Sequence, residues 1–316
     1  MTQASYRVAV LMGGASAEAS VSRNSAQQVA QALRAKGHTT HTVELDDSCV
    51  ETLITLNADV VFPALHGPPG EDGTVQGLLT MLGVPFVGSD VRGSALAMDK
   101  AVAKHIFRHH ALPVSNDIVV GADTTDIAQT TQQIVRALGE RIVIKPLNQG
   151  SAIGVIPLPD GGDIAGALTQ TLALGACLVE PFIVGKEITV GVLETDNEVV
   201  PHPVIEILTA NEQWYDYENR YTPGQSEHLI PASCSTAVQG RLQSIAVAAH
   251  QALGLSDLSR ADFIVTADED IYLLEVNTLP GMTQTSLYPE GAAAIGYGFA
   301  DLIDHLVQRA VRRGPR

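Results

Sequence analysis

Residues 272–282, "YLLEVNTLPGM", decide how this chain is read. An apolar, strand-like run places Glu275 and Asn277 two positions apart and then stops at Pro280 and Gly281. Alternate side chains of a strand leave the same face, so these two oxygen-bearing groups stand side by side, about 7 Å apart at their Cα atoms. Just upstream, "RADFIVTA" reads as a second strand, and the acidic turn "DED" between the two is short enough for a hairpin. That pairing brings Asp262 close to Glu275 and Asn277. Three converging oxygen ligands suit a hard cation such as Mg²⁺, which usually shares its octahedron with water and the phosphates of a nucleotide. The plainer alternative makes Asp262 a turn acid, Glu275 an exposed strand residue and Asn277 the start of the turn. Apolar "YLLE" weighs against it, because it would bury Glu275, and a buried carboxylate without a partner is costly.

Further upstream, "KPLNQGSAIGV" sets Lys145 at the end of a β-rich run and then places Gly150 and Gly154 around Ser151. Glycines let backbone N–H groups approach phosphate oxygens while a lysine supplies charge; an ordinary hairpin with two glycines reads the same way. In "VEPFIVGKE", Glu180 and Glu187 flank a glycine turn. They are either acceptors for an adenine amine and ribose hydroxyls or two surface acids bracketing a domain connection.

The chain has 316 residues, enough for two or three domains with cores of their own. A formal charge of −16 argues against broad contact with nucleic acid or anionic membrane, so an anionic ligand must meet a local basic pocket. Cys49, Cys177 and Cys234 are far apart and odd in number, which argues against a disulfide framework or zinc site and favours a reducing compartment. The apolar run after Arg7 is a first strand rather than the core of a signal peptide, and no stretch of about 18 apolar residues could span a bilayer. A cytoplasmic location is expected.

Along residues 1–97, short apolar runs ("RVAVLMG", "THTVEL", "DVVFPAL", "PFVG") alternate with helical patterns, which predicts a parallel sheet with ligands at its strand C-termini. "GGASAE" and "HGPPGEDG" fall at those ends. Residues 98–185 read as an antiparallel α+β unit with a mobile hairpin, and residues 186–316 as further strands, the aromatic loop "WYDYENRY" and closing helices. "VVPHPVIEIL" reads as one strand, Leu302, Ile303, Leu306, Val307, Ala310 and Val311 as a core-facing stripe at helical period, and "RRGPR" as a frayed, solvated end.

Together, "GGASAEASVS", "HGPPGEDGTVQG", "GSALAMDK", "KPLNQGSAIGV", "YDYENRY" and "RADF" with "LLEVNTLPGM" resemble, in one order over nearly the whole chain, the D-alanine–D-alanine ligase family of the ATP-grasp superfamily. The resemblance implies an ATP-grasp fold of mixed α/β and α+β class, with three domains and a Rossmann-like N-terminal parallel-sheet domain. It implies ATP-driven synthesis of D-alanyl-D-alanine for peptidoglycan through an acyl phosphate, with Mg²⁺ or Mn²⁺, two ions accompanying ATP, and a homodimer.

Carried over residue by residue, the resemblance assigns Asp262, Glu275 and Asn277 to metal, and Lys100, Lys145, Gly150, Ser151, Glu180, Ile183, Glu187 and Arg220 to ATP. Arg260 and the Gly281 N–H face the oxyanion. Glu18 receives the ammonium of the first D-alanine, assisted by Ser151 and Tyr221. His66 lies beside substrate, and Ser286 and Leu287 line the second amino-acid site. On residue type alone, Glu18 is equally a first-turn carboxylate at a helix N-terminus, His66 a structural loop histidine, and the aromatic loop simple packing rather than a lid that excludes water. Ala19, Ala152 and Arg220 depart from the usual pattern, the last exchanging an ammonium for a planar guanidinium. Rival readings are a ligase using another D-amino acid or D-lactate as acceptor, of which Tyr221 favours an amine acceptor over D-lactate, and a silent nucleotide-binding homologue, which the intact Asp262, Glu275 and Asn277 disfavour.

Overall fold

The computed structural model describes residues 4–16, 18–150, 152–209 and 226–316. Near the N-terminus, β1 (Arg7–Met12), β2 (Thr39–Glu44) and β3 (Val60–Pro63) form a parallel sheet in the order β2-β1-β3. Val8, Ala9, Val10 and Leu11 are all fully buried because helices cover both faces of the central strand, which accounts for the unbroken apolar run. "PFVG" contributes only an isolated parallel bridge between Phe86 and Val61, not a full strand. Proline at 85 has no N–H for the ladder, and Gly88 turns the chain away at a φ of +100°.

The middle sheet comprises β4 (Ile118–Val120), β5 (Ile142–Pro146), β6 (Ile156–Leu158) and β7 (Cys177–Pro181), antiparallel in the order β4-β7-β5-β6. The third contains β8 (Lys186–Glu194), β9 (Val199–Pro201), β10 (Ile205–Thr209), β11 (Ser226–Leu229), β12 (Leu258–Val265) and β13 (Ile271–Asn277). Its order is β11-β10-β8-β12-β13, with β9 also on β8. The expected single strand "VVPHPVIEIL" is therefore two strands, split where Pro201 and Pro203 interrupt the N–H ladder.

Two helices join these layers. Helix Lys100–His109 is launched by Asp99, whose side chain accepts from the Ala101 and Val102 amides. It buries Ala103 and Phe107 in one core with Val190, Leu242, Phe263 and Leu273. The closing helix Phe299–Arg313 sends Leu302, Ile303, Leu306, Val307 and Ala310 into the core of the parallel sheet, beside Val8, Val10 and Phe62. The terminal "RRGPR", residues 312–316, is not the frayed, solvated end its composition suggested. Arg313 Nη2 donates to the Phe86 carbonyl and Arg316 Nη2 to the Gly88 carbonyl, at 2.6 and 2.7 Å, and Arg316 lies 5.4 Å from the centre of the Phe86 ring. Bare carbonyls at the edge of the parallel sheet give those arginines partners that composition does not reveal. Among the described residues, no helix is long and apolar enough to cross a membrane.

Candidate active site

The hairpin of β12 and β13 pairs Asp262 with Glu275 and Arg260 with Asn277. Because Phe263 pairs with Leu273, one extra residue, Leu274, is inserted as a β-bulge. Strict alternation would have put Glu275 and Asn277 on the buried face with Ile271 and Leu273. The bulge reverses the phase, so Val276 points inward and Glu275 and Asn277 turn to the cleft. Glu275 is consequently not buried as its apolar neighbours suggested; its side chain is 32% exposed and lies 3.4 Å from Lys100 Nζ.

Arg260 holds Asp262 in a two-pronged ion pair, with Nε and Nη2 each donating at 2.8 Å, and Thr189 Oγ1 on β8 donates to Asp262 at 2.6 Å. Asn277 Oδ1 accepts from the Leu279 amide at 2.9 Å, which shapes the turn leading to Gly281. Among the described residues, no group of three or more His, Cys, Asp or Glu side chains is gathered for a metal. The expected set contains two carboxylates and one amide. Its all-oxygen chemistry fits a hard cation, and both carboxylates already face positive groups.

At the nucleotide end, Lys145 on β5 and Glu180 on β7 are buried and ion-paired. Burial pushes the Glu180 carboxyl up, but the charges of Lys145 and Lys104 outweigh it and hold it at about 2. Burial likewise works against the Lys145 ammonium, whose pKa is nevertheless raised by Glu180 and Glu275. Lys100 Nζ donates to the Gln149 carbonyl at 2.7 Å and so fixes the start of the glycine loop. Gly154 turns at a φ of +71°, and Ala152 also takes a left-handed φ of 58°, a conformation that costs a non-glycine residue about 1–2 kcal/mol. Ser151, Arg220, Tyr221 and the aromatic loop lie outside the described residues.

At the opposite end, Glu18 is the N-cap residue of helix Ala19–Ala35 and is buried, with no capping hydrogen bond from its side chain. A Cβ at Gly150 would stand 3.1 Å from Glu18 Oε2, so the glycine loop and this acid approach closely because Gly150 has no side chain. His66, also buried, is pushed down to about 4 by desolvation and by Arg260, and its Nε2 lies 3.4 Å from Ser25 Oγ. Ser286 Oγ lies 2.7 Å from Thr283 Oγ1 and would be 3.0 Å from a Cβ at Gly281.

One cavity of about 850 Å³ is lined by Glu18, His66, Lys100, Gly150, Arg260, Glu275, Asn277, Gly281, Ser286 and Leu287. Lys145, Glu180 and Asp262 stand behind that lining, joined to one another or to it by the ion pairs above, while Ile183 and Glu187 do not contribute to it. Glu71 is the residue sequence reasoning missed. It lines the cavity, accepts from the Gly67 amide at 2.6 Å, and is pushed up to about 8 by burial and by the neighbouring Glu18. The signal was present, since Glu71 lies within the quoted "HGPPGEDG", but nothing in that string places it against Glu18.

Comparison with known proteins gives a consistent result. Family profiles described as D-ala D-ala ligase C-terminus and N-terminus match residues 106–308 and 49–89. A D-alanine–D-alanine ligase of Desulforudis audaxviator is 43% identical over 309 residues, covering 97% of this chain and 99% of that one. One from Halalkalibacterium halodurans is 41% identical over 310 residues, covering 97% of this chain and all of its own length, 100%. Among solved structures, the Bacillus anthracis D-alanine–D-alanine ligase complexed with ATP is 28% identical with a TM-score of 0.82, covering 98% of both chains. The VanG D-Ala:D-Ser ligase of Enterococcus faecalis is 28% identical with a TM-score of 0.83, covering 97% of this chain and 100% of that one.

Proposed function

The chain belongs to the D-alanine–D-alanine ligase family and has its ATP-grasp fold; from that premise we propose that it joins two D-alanine molecules into D-alanyl-D-alanine for peptidoglycan, converting ATP to ADP and phosphate. The carboxylate of the first D-alanine attacks the γ-phosphorus and forms an acyl phosphate. The amine of the second then attacks that carbonyl, and the tetrahedral intermediate expels phosphate. We place this chemistry in the cytoplasm and in a homodimer.

Asp262, Glu275 and Asn277 would hold a divalent cation, magnesium or manganese, which when bound neutralises charge on the phosphates. Lys100, Lys145 and Arg220 supply positive charge for the transferring phosphoryl group, and amides around Gly150 and Ser151 cradle it. Glu180, Ile183 and Glu187 receive the base and ribose. Glu18, with Ser151 and Tyr221, takes the ammonium of the first D-alanine, and His66 packs beside it. Arg260 and the Gly281 N–H receive the oxyanion, while Ser286 and Leu287 seat the second amino acid.

The observation that carries this reading is a shared cavity, in which Glu18 from the first layer, Gly150 from the second and Arg260, Glu275 and Asn277 from the third reach one space. The test offers the protein Mg·ATP with D-alanine alone and with a panel of D-amino and D-hydroxy acids, D-serine and D-lactate included, and identifies products by mass. D-alanyl-D-alanine with stoichiometric ADP is expected. Tight ATP binding with no acceptor-dependent phosphate release would overturn it.

A further inference from the structure

Helix Lys100–His109 carries Lys100, Lys104 and Arg108 at four-residue steps, which align on one face. Each cation meets a carboxylate from a different segment: Glu275, Glu180 and Asp117. Lys104 is the middle one and has no exposed surface. Its Nζ pairs with Glu180 Oε1, donates to Ser115 Oγ at 3.0 Å, and lies 3.4 Å from Asp117. Ser115 Oγ in turn donates to Glu180 Oε1 at 2.8 Å.

The Glu180 carboxylate is therefore divided between its two oxygens. Oε1 is held by the buried Lys104, whose ammonium also reaches Ser115 and Asp117, and by the buried Ser115, whereas Oε2 is held by Lys145. Within this cluster Lys104, Arg108 and Lys145 outnumber Glu180 and Asp117, leaving one positive charge in surplus, which suits an anionic ligand. Should Lys145 turn toward a triphosphate, Glu180 would lose one of its two counter-ions while remaining only 4% exposed. A buried carboxylate with no counter-ion is strongly disfavoured.

We propose that Lys104 is a positioning residue for the nucleotide: as the permanent counter-ion of Glu180, it allows Lys145 to leave Oε2 for the triphosphate, and the vacated oxygen takes the exocyclic amine of adenine. Base recognition and phosphate binding are thereby coupled through one carboxylate. The inference rests on the nucleotide seat assigned above to Lys145 and Glu180.

The test measures ATP and GTP binding by calorimetry alongside steady-state kinetics for wild type, Lys104→Met, Glu180→Gln and the double variant. Lys104→Met is expected to weaken ATP binding at least tenfold, to narrow the preference for ATP over GTP, and to leave the KM for D-alanine within twofold. In the Glu180→Gln background no carboxylate needs a counter-ion, so adding Lys104→Met should cost less than threefold. A merely structural lysine would lower stability without narrowing the preference for ATP over GTP. Should Lys104→Met not fold, Ser115→Ala removes one hold on the same oxygen and is expected to weaken ATP binding two- to fivefold. Unchanged ATP affinity in a folded Lys104→Met or Ser115→Ala protein, or additive losses in the double variant, would overturn the proposal. Wild type that binds ATP yet forms no dipeptide would instead refute the ligase reading, and the binding measurements would still decide the role of Lys104.

Discussion

Replacing Asp257 by alanine removes a carboxylate that ties the closing helix to the edge of the parallel sheet. Asp257 is fully buried; its Oδ2 accepts from the Gly88 amide at 2.8 Å, and its Oδ1 accepts from Arg309 Nε at 3.1 Å and Arg313 Nη1 at 2.5 Å. The buried Gly88 N–H, left without an acceptor, costs about 1–3 kcal/mol. The two guanidinium bonds contribute less than a fully buried pair would. Arg309 and Arg313 are 23% and 25% exposed, and they keep Glu194, the Thr195 carbonyl and the Phe86 carbonyl as partners. After that discount for solvent screening they add about 1 kcal/mol together. The backbone at 257 has a φ of 66°, tolerated by aspartate and asparagine but costing alanine about 1 kcal/mol or more. Asp257→Ala should therefore lose about 3–5 kcal/mol, whereas Asp257→Asn, which keeps both the left-handed preference and an acceptor, should lose about 1–2 kcal/mol. Urea unfolding followed by circular dichroism, with the slope unchanged between variants, measures both. A loss below about 1 kcal/mol for Asp257→Ala would refute the claim that this carboxylate anchors the C-terminal arginines.

Glu275→Gln should raise the magnesium concentration needed for half-maximal turnover about tenfold or more while leaving the melting temperature nearly unchanged, because the side chain faces the cleft rather than a core; unchanged turnover at limiting magnesium would contradict its role. Two buried groups set opposite pH slopes on stability. His66, lowered to about 4 from 6.5, takes up its proton mainly in the unfolded chain between those values, so stability is lost as pH falls through that window. Glu71, raised to about 8 from 4.5, holds its proton mainly in the folded chain, so its contribution is present at low pH and is lost as pH rises from 4.5 to 8. Glu71→Gln should abolish that second decline and leave the acid-side loss intact; chemical denaturation across this range that gave the same profile for both proteins would count against the buried, protonated Glu71.

What could be read from residue order alone was whatever depends on spacing along one element. Val8 to Leu11 announce a strand covered on both faces, Leu302 to Ala310 a helix with one buried stripe, and the short turn before Ile271 forces Asp262 against Glu275. The motifs likewise located the cavity-lining residues Glu18, Gly150, Arg260 and Asn277, because backbone-limited features such as glycine loops and hairpins leave local traces.

Tertiary structure decided the rest, since the deciding partners are distant in the chain. The face to which Glu275 points depends on a bulge whose register is fixed by the partner strand, and alternation alone gives the wrong side. Glu71 acquires its shifted proton affinity from desolvation that no local pattern records and from Glu18, 53 positions away in sequence. "RRGPR" is compositionally a solvated tail, yet Phe86, Gly88 and Asp257 hold it in place. Charge and burial are properties of a three-dimensional neighbourhood, so a buried salt network such as that of Lys104, Glu180 and Asp117 becomes visible only once a helix and a separate sheet are packed together.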